Sequence, residues 1–264
     1  MPNIDPILFL QPVLAVAMSL GAIIFWWNRR SFRGIALLLT FTAYFVAIAA
    51  KYAIQLPTYA AVEAFFGVTS VGLGLYFGLQ TVFLEVGLAY LIALYGARRR
   101  NLKTSDAVPY GLSLAFWENG ILLGAVSILN LSVTYLLLGN GSSEAATVYS
   151  QLVSSQPSLF LPPGSLLPYV LLGTLERLSS MLIHIAWGVL CVYAAVSGRK
   201  KYLFYALPMG LVDALVPFAS LNTVLFEVGI FILSVGFLLV AWRASTSVTA
   251  SPTSQGSSAI PVGA

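Results

Sequence analysis

The sequence predicts an all-α fold: a polytopic integral membrane bundle of about seven transmembrane helices, N-terminus outside and C-terminus cytoplasmic. Hydrophobic residues make up 59% of the 264 residues and charged residues only 8%, whereas about 25% of a soluble domain is charged. Apolar runs cover nearly the whole chain, and Lys and Arg concentrate in alternate connections between them. These observations exclude a soluble domain.

Each apolar run is long enough for a membrane span, which takes about 17–25 helical residues. In chain order the predicted spans are Pro6–Trp27, Gly34–Ala53, Ser70–Ala97, Ala107–Leu138, Leu166–Val196, Tyr202–Ala219 and Val224–Trp242. Residues 1–243 therefore form one transmembrane domain. Residues 244–264 are rich in Ser, Thr and Pro and nearly uncharged, which predicts a disordered cytoplasmic tail.

The connections differ in charge. Those after the first, third, fifth and seventh spans carry the basic residues Arg29, Arg30, Arg33, Arg98, Arg99, Arg100, Lys103, Arg199, Lys200, Lys201 and Arg243. Lys and Arg concentrate in cytoplasmic loops, so these clusters set a multi-pass topology in the plasma membrane and do not indicate nucleic-acid binding. The outer loop Gly139–Ser165 contains the triplet Asn140-Gly141-Ser142, which is either a glycosylation acceptor or an unmodified polar stretch.

Seven ionisable groups lie inside the predicted spans: Glu85, Glu118, Glu176, Arg177, His184, Asp213 and Glu227. A charged side chain at mid-helix costs roughly 2.5–3.5 kcal/mol on membrane-insertion scales, so such groups face a bundle interior or water. Lys51 lies close to the predicted end of the second span at Ala53. It is expected to extend to the membrane interface and to need no special role.

Five of these groups are predicted to lie at one depth in the membrane. At a helical rise of about 1.5 Å per residue, each lies about 18–24 Å from the charged residue at the end of its span. The five are Glu85, Glu118, His184, Asp213 and Glu227. Four of the five share a helix face with small residues: Glu85 with Gly74 and Gly78, Glu118 with Gly111, His184 with Ser180, and Asp213 with Gly210. Small residues at this spacing let membrane helices approach closely. The pattern predicts a shared polar cavity, which Glu227 joins only partly.

The acids in this cavity must be neutralised. Arg177 can form a buried ion pair, most simply with Glu176 or with an acid on a neighbouring helix, while His184 points into the cavity. Like charges that close cannot all ionise. Either several carboxyl groups are protonated or a cation lies among them.

The segment Glu176-Arg177, followed by His184 in the same helix, resembles the Glu-Arg-(six residues)-His segment of the YhfC-like family of intramembrane metalloproteases. That family is distantly related to the prenyl-protein (CAAX) proteases. The resemblance extends over roughly Gln80 to Ala219. It implies a helical membrane fold, zinc held by histidines at bilayer depth, and a glutamate that activates water.

Three family motifs are altered here. In Leu84-Glu85-Val86-Gly87-Leu88 the leading glutamate and the arginine of a Glu-Glu-x-x-Arg run are both leucine. In "GLSLAFWE" Leu114 stands in the histidine position and Glu118 keeps the acid, and in "MGLVD" Met209 replaces a histidine and Asp213 is retained. Two of the three histidines expected from the family are therefore absent.

Three functions are compatible with these residues. The first is a degenerate family member that keeps the fold and the polar cavity without intact zinc peptidase chemistry. The second is a proton- or cation-coupled transporter or pore component, because intramembrane acids form such relays. The third is an active intramembrane metallopeptidase.

An active peptidase would use Glu85 and Glu118 in catalysis and bind one divalent cation through His184, Asp213 and Glu118. The cation is zinc in a peptidase, although an oxygen-rich ligand set suits a harder cation better. The expected partners are the lipid bilayer and a membrane-protein or peptide substrate. The sequence does not predict an oligomeric state.

Overall fold

The computed structural model describes residues 3–29, 32–140 and 142–249. All secondary-structure elements of these residues are helices, which confirms the predicted all-helical membrane fold. We number the helices α1 (Pro6–Arg29), α2 (Gly34–Phe66), α3 (Val71–Arg99), α4 (Thr104–Gly139), α5 (Ser143–Ser155), α6 (Pro163–Ser197), α7 (201–218) and α8 (Thr223–Thr249). Six of these, all except α5 and α7, are long and apolar enough to cross a membrane.

Helix α7 covers the sixth predicted span and is not one of these six. It begins as an α-helix over Lys201–Ala206 and continues as a 3₁₀-helix over Leu207–Phe218. Pro208 and Pro217 lie in this second part, and neither has the N–H group that an α-helix requires. The predicted count of seven spans and the predicted orientation are not confirmed by the structure.

Helix α6 is the centre of the bundle, since most of its side chains from Ser179 to Ala195 are buried and it contacts α3, α4 and α8. Its approach to α4 depends on glycine. A Cβ atom on Gly111 would lie 2.5 Å from the main-chain oxygen of Ile185, and one on Gly188 would lie 2.6 Å from the Cα of Gly111. Only small residues allow helices to approach so closely.

Specific residues define the helix ends. Ser70 precedes α3, and its hydroxyl accepts a hydrogen bond from the Leu73 main-chain N–H at 3.1 Å, as an N-cap does. Gly67 follows α2 with φ 84°, and Gly198 follows α6 with φ 68°. Glycine adopts such positive φ values without steric cost, which allows the chain to turn at both points.

Three predicted boundaries differ from the structure. Helix α2 does not end at Ala53 but continues through Pro57 to Phe66, as membrane helices tolerate. The connection predicted as an outer loop is largely helical, because Ser142 caps α5 by accepting a hydrogen bond from the Ala145 N–H. Helix α8 continues to Thr249, past the predicted start of the tail at residue 244. Residues 250–264 of that tail lie outside the described part, as does Gly141 of the glycosylation triplet.

A polar cavity among the helices

One cavity of about 350 Å³ lies among α2, α3, α4, α6, α7 and α8. Its polar lining consists of Tyr44, Lys51, Tyr52, Gln55, Glu85, Glu118, Glu176, Arg177, Ser180, His184, Asp213 and Glu227. The sequence predicts that Glu85, Glu118, His184 and Asp213 converge, and the structure brings all four to this cavity. Their catalytic and metal-binding roles stay predictions.

Three of the five acids of the cavity lie where the helices depart from α geometry. Glu85 belongs to a π-helical turn over Thr81–Val86 within α3, and Glu118 to one over Phe116–Ala125 within α4. Asp213 lies in the 3₁₀ part of α7. Wider or tighter turns rotate side chains away from the regular α-helical face, and π turns occur frequently at functional sites.

Lys51 joins two of these acids. Its ammonium forms a short ion pair with Glu85 Oε1, donates to Thr81 Oγ1 at 2.7 Å and lies 3.5 Å from Asp213 Oδ2. The Thr81 hydroxyl in turn donates to Asp213 Oδ2. One ammonium group therefore neutralises a carboxylate of α3 and contacts a second on α7.

Lys51 was not among the site residues predicted from the sequence, and the expectation that its side chain extends to the membrane interface is wrong. Its side chain is only 14% exposed and points into the cavity. The error follows from placing the end of the second span at Ala53, two residues away. Because α2 runs from Gly34 to Phe66, Lys51 lies near its middle.

His184 links the acids of α3 and α4. Its Nδ1 lies 2.9 Å from Glu118 Oε2 and 2.9 Å from the main-chain oxygen of Ser180. Both neighbours are acceptors, so Nδ1 carries the hydrogen. The other ring nitrogen, Nε2, lies 3.5 Å from Glu85 Oε2 without a hydrogen bond to it. Ser180 Oγ also donates to Glu118 Oε2, at 2.9 Å.

The remaining charges lie at other parts of the cavity. Arg177 forms an ion pair with the adjacent Glu176, with side chains 13% and 45% exposed respectively. The predicted pair is therefore present, but only the arginine is well buried. Glu227 of α8 is 6% exposed, and its Oε2 has no hydrogen-bond partner within the described residues.

These features define a class: a multi-helix membrane protein with a cluster of ionisable side chains held between its spans. Residues 14–238 match the YhfC intramembrane metalloprotease family. Because the match covers most of the chain, the protein belongs to this family, as its resemblance predicted. No curated protein and no solved structure matches the chain.

The family name implies a metal, and the residues of this cavity fit one poorly. His184 is suited in one respect, because a metal-binding histidine donates from one ring nitrogen to a carboxylate or carbonyl and ligates through the other. A catalytic zinc site needs three protein ligands, however. Over the described ranges, no group of three His, Cys, Asp or Glu side chains is arranged to hold a metal ion.

The predicted ligand set is also engaged elsewhere. Asp213 bonds to Thr81 and lies beside Lys51, while Glu118 accepts from the Nδ1 side of His184, opposite to Nε2. A zinc ion between Nε2 and Glu85 would have to share that carboxylate with the Lys51 ammonium. The residues present therefore do not fit a catalytic zinc.

Proposed function

We propose that this protein is a degenerate member of its family, in which the cavity is retained without zinc peptidase chemistry. One observation carries the proposal: the Lys51 ammonium bonds to Glu85 and lies 3.5 Å from Asp213. A cation among these acids is one of the two ways to balance their charge, and here the chain supplies it. An ammonium group cannot lower the pKa of bound water as zinc does.

The replacement of two histidines supports the same proposal. Leu114 and Met209 stand where the family resemblance places histidines, and both are buried apolar side chains. Leucine donates no electron pair, and methionine is not among the Cys, His, Asp and Glu side chains that bind zinc in proteins, so neither substitutes for imidazole. The loss of these two ligands and the presence of Lys51 both disfavour the binding of zinc in the cavity.

Metal content tests this proposal. The full-length protein, purified in detergent and incubated with zinc before desalting, is assayed by inductively coupled plasma mass spectrometry. We expect far less than one zinc per chain and no hydrolysis of membrane-protein substrates. One zinc per chain, lost in His184→Ala and accompanied by peptide hydrolysis, would contradict the proposal and support an active metallopeptidase with Glu85 and Glu118 in catalysis.

A second candidate, a proton- or cation-coupled transporter, is favoured by the chain of ionisable groups. Lys51, Glu85, His184 and Glu118 follow one another with neighbouring polar atoms no more than 3.5 Å apart. Such series of acids and histidines form proton relays in membrane proteins. Proton flux into protein-containing liposomes, measured with a pH-sensitive dye and abolished by Glu118→Gln, would support it; flux equal to that of empty liposomes would exclude it.

We also propose seven spans, with the N-terminus outside and the C-terminus in the cytoplasm of a plasma membrane. The alternation of basic and uncharged connections supports this arrangement. The geometry of α7 is consistent with a seventh crossing. The 3₁₀ rise of about 2.0 Å per residue over Leu207–Phe218 gives 201–218 a length of about 33 Å, against a hydrocarbon core of about 30 Å.

A further inference from the structure

Glu227 is the one acid of the cavity without a counter-ion or hydrogen-bond donor in the described part of the chain. It is 94% buried, since its exposure is 6%, and its Oε2 makes no hydrogen bond. The other four acids have partners: Glu85 and Asp213 with Lys51, Glu118 with His184, and Glu176 with Arg177. A buried, unpaired carboxylate is costly unless a partner arrives from outside the chain.

The surroundings of Glu227 indicate the chemistry of such a partner. Four aromatic side chains, Tyr44, Tyr52, Trp187 and Phe226, line the same cavity. Aromatic faces attract ammonium groups by cation–π interaction. Beside the polar groups already described, the wall includes seven aliphatic side chains: Ile48, Leu122, Leu123, Ile183, Val212, Val216 and Ile230. The wall therefore combines apolar and aromatic surface with one carboxyl group that has no partner among the described residues.

The size of the cavity separates an organic cation from a bare ion. At about 350 Å³ it lies within the range of small-molecule sites, which begins at about 300 Å³. A bare divalent cation would need several oxygen or nitrogen ligands, and no such group of three is arranged for one among the described residues. An amine with an apolar body matches both the free carboxylate and the wall.

We propose that this cavity binds a small organic ammonium ion, its charged nitrogen against Glu227 and its apolar body against the aliphatic and aromatic wall. This inference rests on the proposed function, because a zinc ion at His184 would occupy part of the same cavity. It assigns to the degenerate site a ligand class in place of a peptide substrate.

Three related probes test the requirement for positive charge: phenethylammonium, 2-phenylethanol and phenylacetate. The full-length protein is held in a neutral maltoside detergent, because detergents that carry an ammonium group would compete. We expect only phenethylammonium to raise the unfolding temperature in a saturable manner, since Glu227 accepts its N–H groups. Equal stabilisation by 2-phenylethanol, or none by any probe, would overturn the proposal.

Glu227→Gln tests the site itself. The variant keeps the shape of the side chain and removes its charge, so the Kd for phenethylammonium is expected to weaken by about tenfold or more. Its unliganded unfolding temperature should stay equal or rise, because an unpaired buried charge is removed. Glu144→Gln, at an exposed acid of α5, is the matched control and should bind like wild type.

An unchanged Kd in Glu227→Gln would overturn the assignment of the site. Zinc content measured on the same preparations separates this failure from failure of the proposed function. Stoichiometric zinc would contradict the proposed function, whereas zinc-free protein that does not distinguish the three probes would contradict only the ammonium inference.

Discussion

At the scale of single residues, Lys51 accounts for how several acids coexist between membrane helices. Its Nζ reaches two carboxylates and one hydroxyl on α3 and α7, so one ammonium serves both helices. His184 also supplies a donor to an acid, since its Nδ1–H reaches Glu118 on the other side of Glu85. Each acid that these two residues contact is thereby matched by a donor, as buried polar groups require.

The first prediction at this scale concerns His184 as a donor. His184→Ala removes the hydrogen bond to Glu118 Oε2 and is expected to destabilise the protein by about 1–3 kcal/mol, the cost of leaving a buried polar group unsatisfied. His184→Gln can still donate and should recover part of the loss. Thermal unfolding in detergent measures both. A His184→Ala variant as stable as wild type would contradict the assigned hydrogen bond.

At the scale of helices, the small-residue faces could be predicted from the sequence and the span boundary that hides Lys51 could not. Gly74 and Gly78 lie against Ala214 of α7, where added Cβ atoms would approach to 2.2 Å and 2.9 Å, as the spacing of small residues indicated. The predicted end of α2 at Ala53 is wrong, because the helix continues through Pro57 to Phe66. The local sequence does not show that α2 continues past this proline.

The π-helical turns were equally hidden. Glu85 and Glu118 occupy turns wider than an α-helix, and hydrophobic periodicity assumes a constant 3.6 residues per turn. The depth of a residue can still be predicted across such turns, because they shift the residue only a little along the helix axis. The direction of the side chain changes much more, which is why the convergence was predictable and the contacts of Lys51 with Glu85 and Asp213 were not.

The prediction at this scale concerns the contact of α4 with α6. Gly111→Ala places a Cβ atom 2.5 Å from the Ile185 main-chain oxygen, so α4 must move. We expect a loss of about 1–3 kcal/mol, as for other overpacked sites. Gly236→Ala is the control, because a Cβ there meets nothing within 4 Å. Equal unfolding temperatures for the two variants would show that α4 and α6 do not pack as described.

At the scale of the whole molecule, topology depends on α7. Its last two thirds form a 3₁₀-helix, which is longer per residue than an α-helix. The two ends of α7 differ in charge: Arg199 and Lys200 precede the helix and Lys201 is its first residue, whereas the connection that follows it, residues 219–222, has no Lys or Arg. The positive-inside rule therefore predicts that these two ends lie on opposite sides of the membrane.

Single cysteines in a Cys191→Ala background test this topology with a membrane-impermeant maleimide on intact cells. We expect Ser142→Cys and Ser220→Cys to react from outside and Ser105→Cys only after permeabilisation. Ser220→Cys is the informative position, since it changes side if α7 does not cross. Protection of Ser220→Cys in intact cells would exclude the seventh span, and the reverse pattern at the other two positions would invert the orientation.

The central claim is that the Lys51 ammonium holds the position that a metal cation would otherwise take. Thermal unfolding of wild type and Lys51→Met, each titrated with zinc and with manganese, tests it most directly. We predict that neither ion stabilises wild type. Lys51→Met should be less stable without metal, because Glu85 and Asp213 lose their counter-ion, and should regain stability as either ion is added. Stabilisation of wild type by zinc, or a Lys51→Met variant as stable as wild type and indifferent to both ions, would contradict the claim.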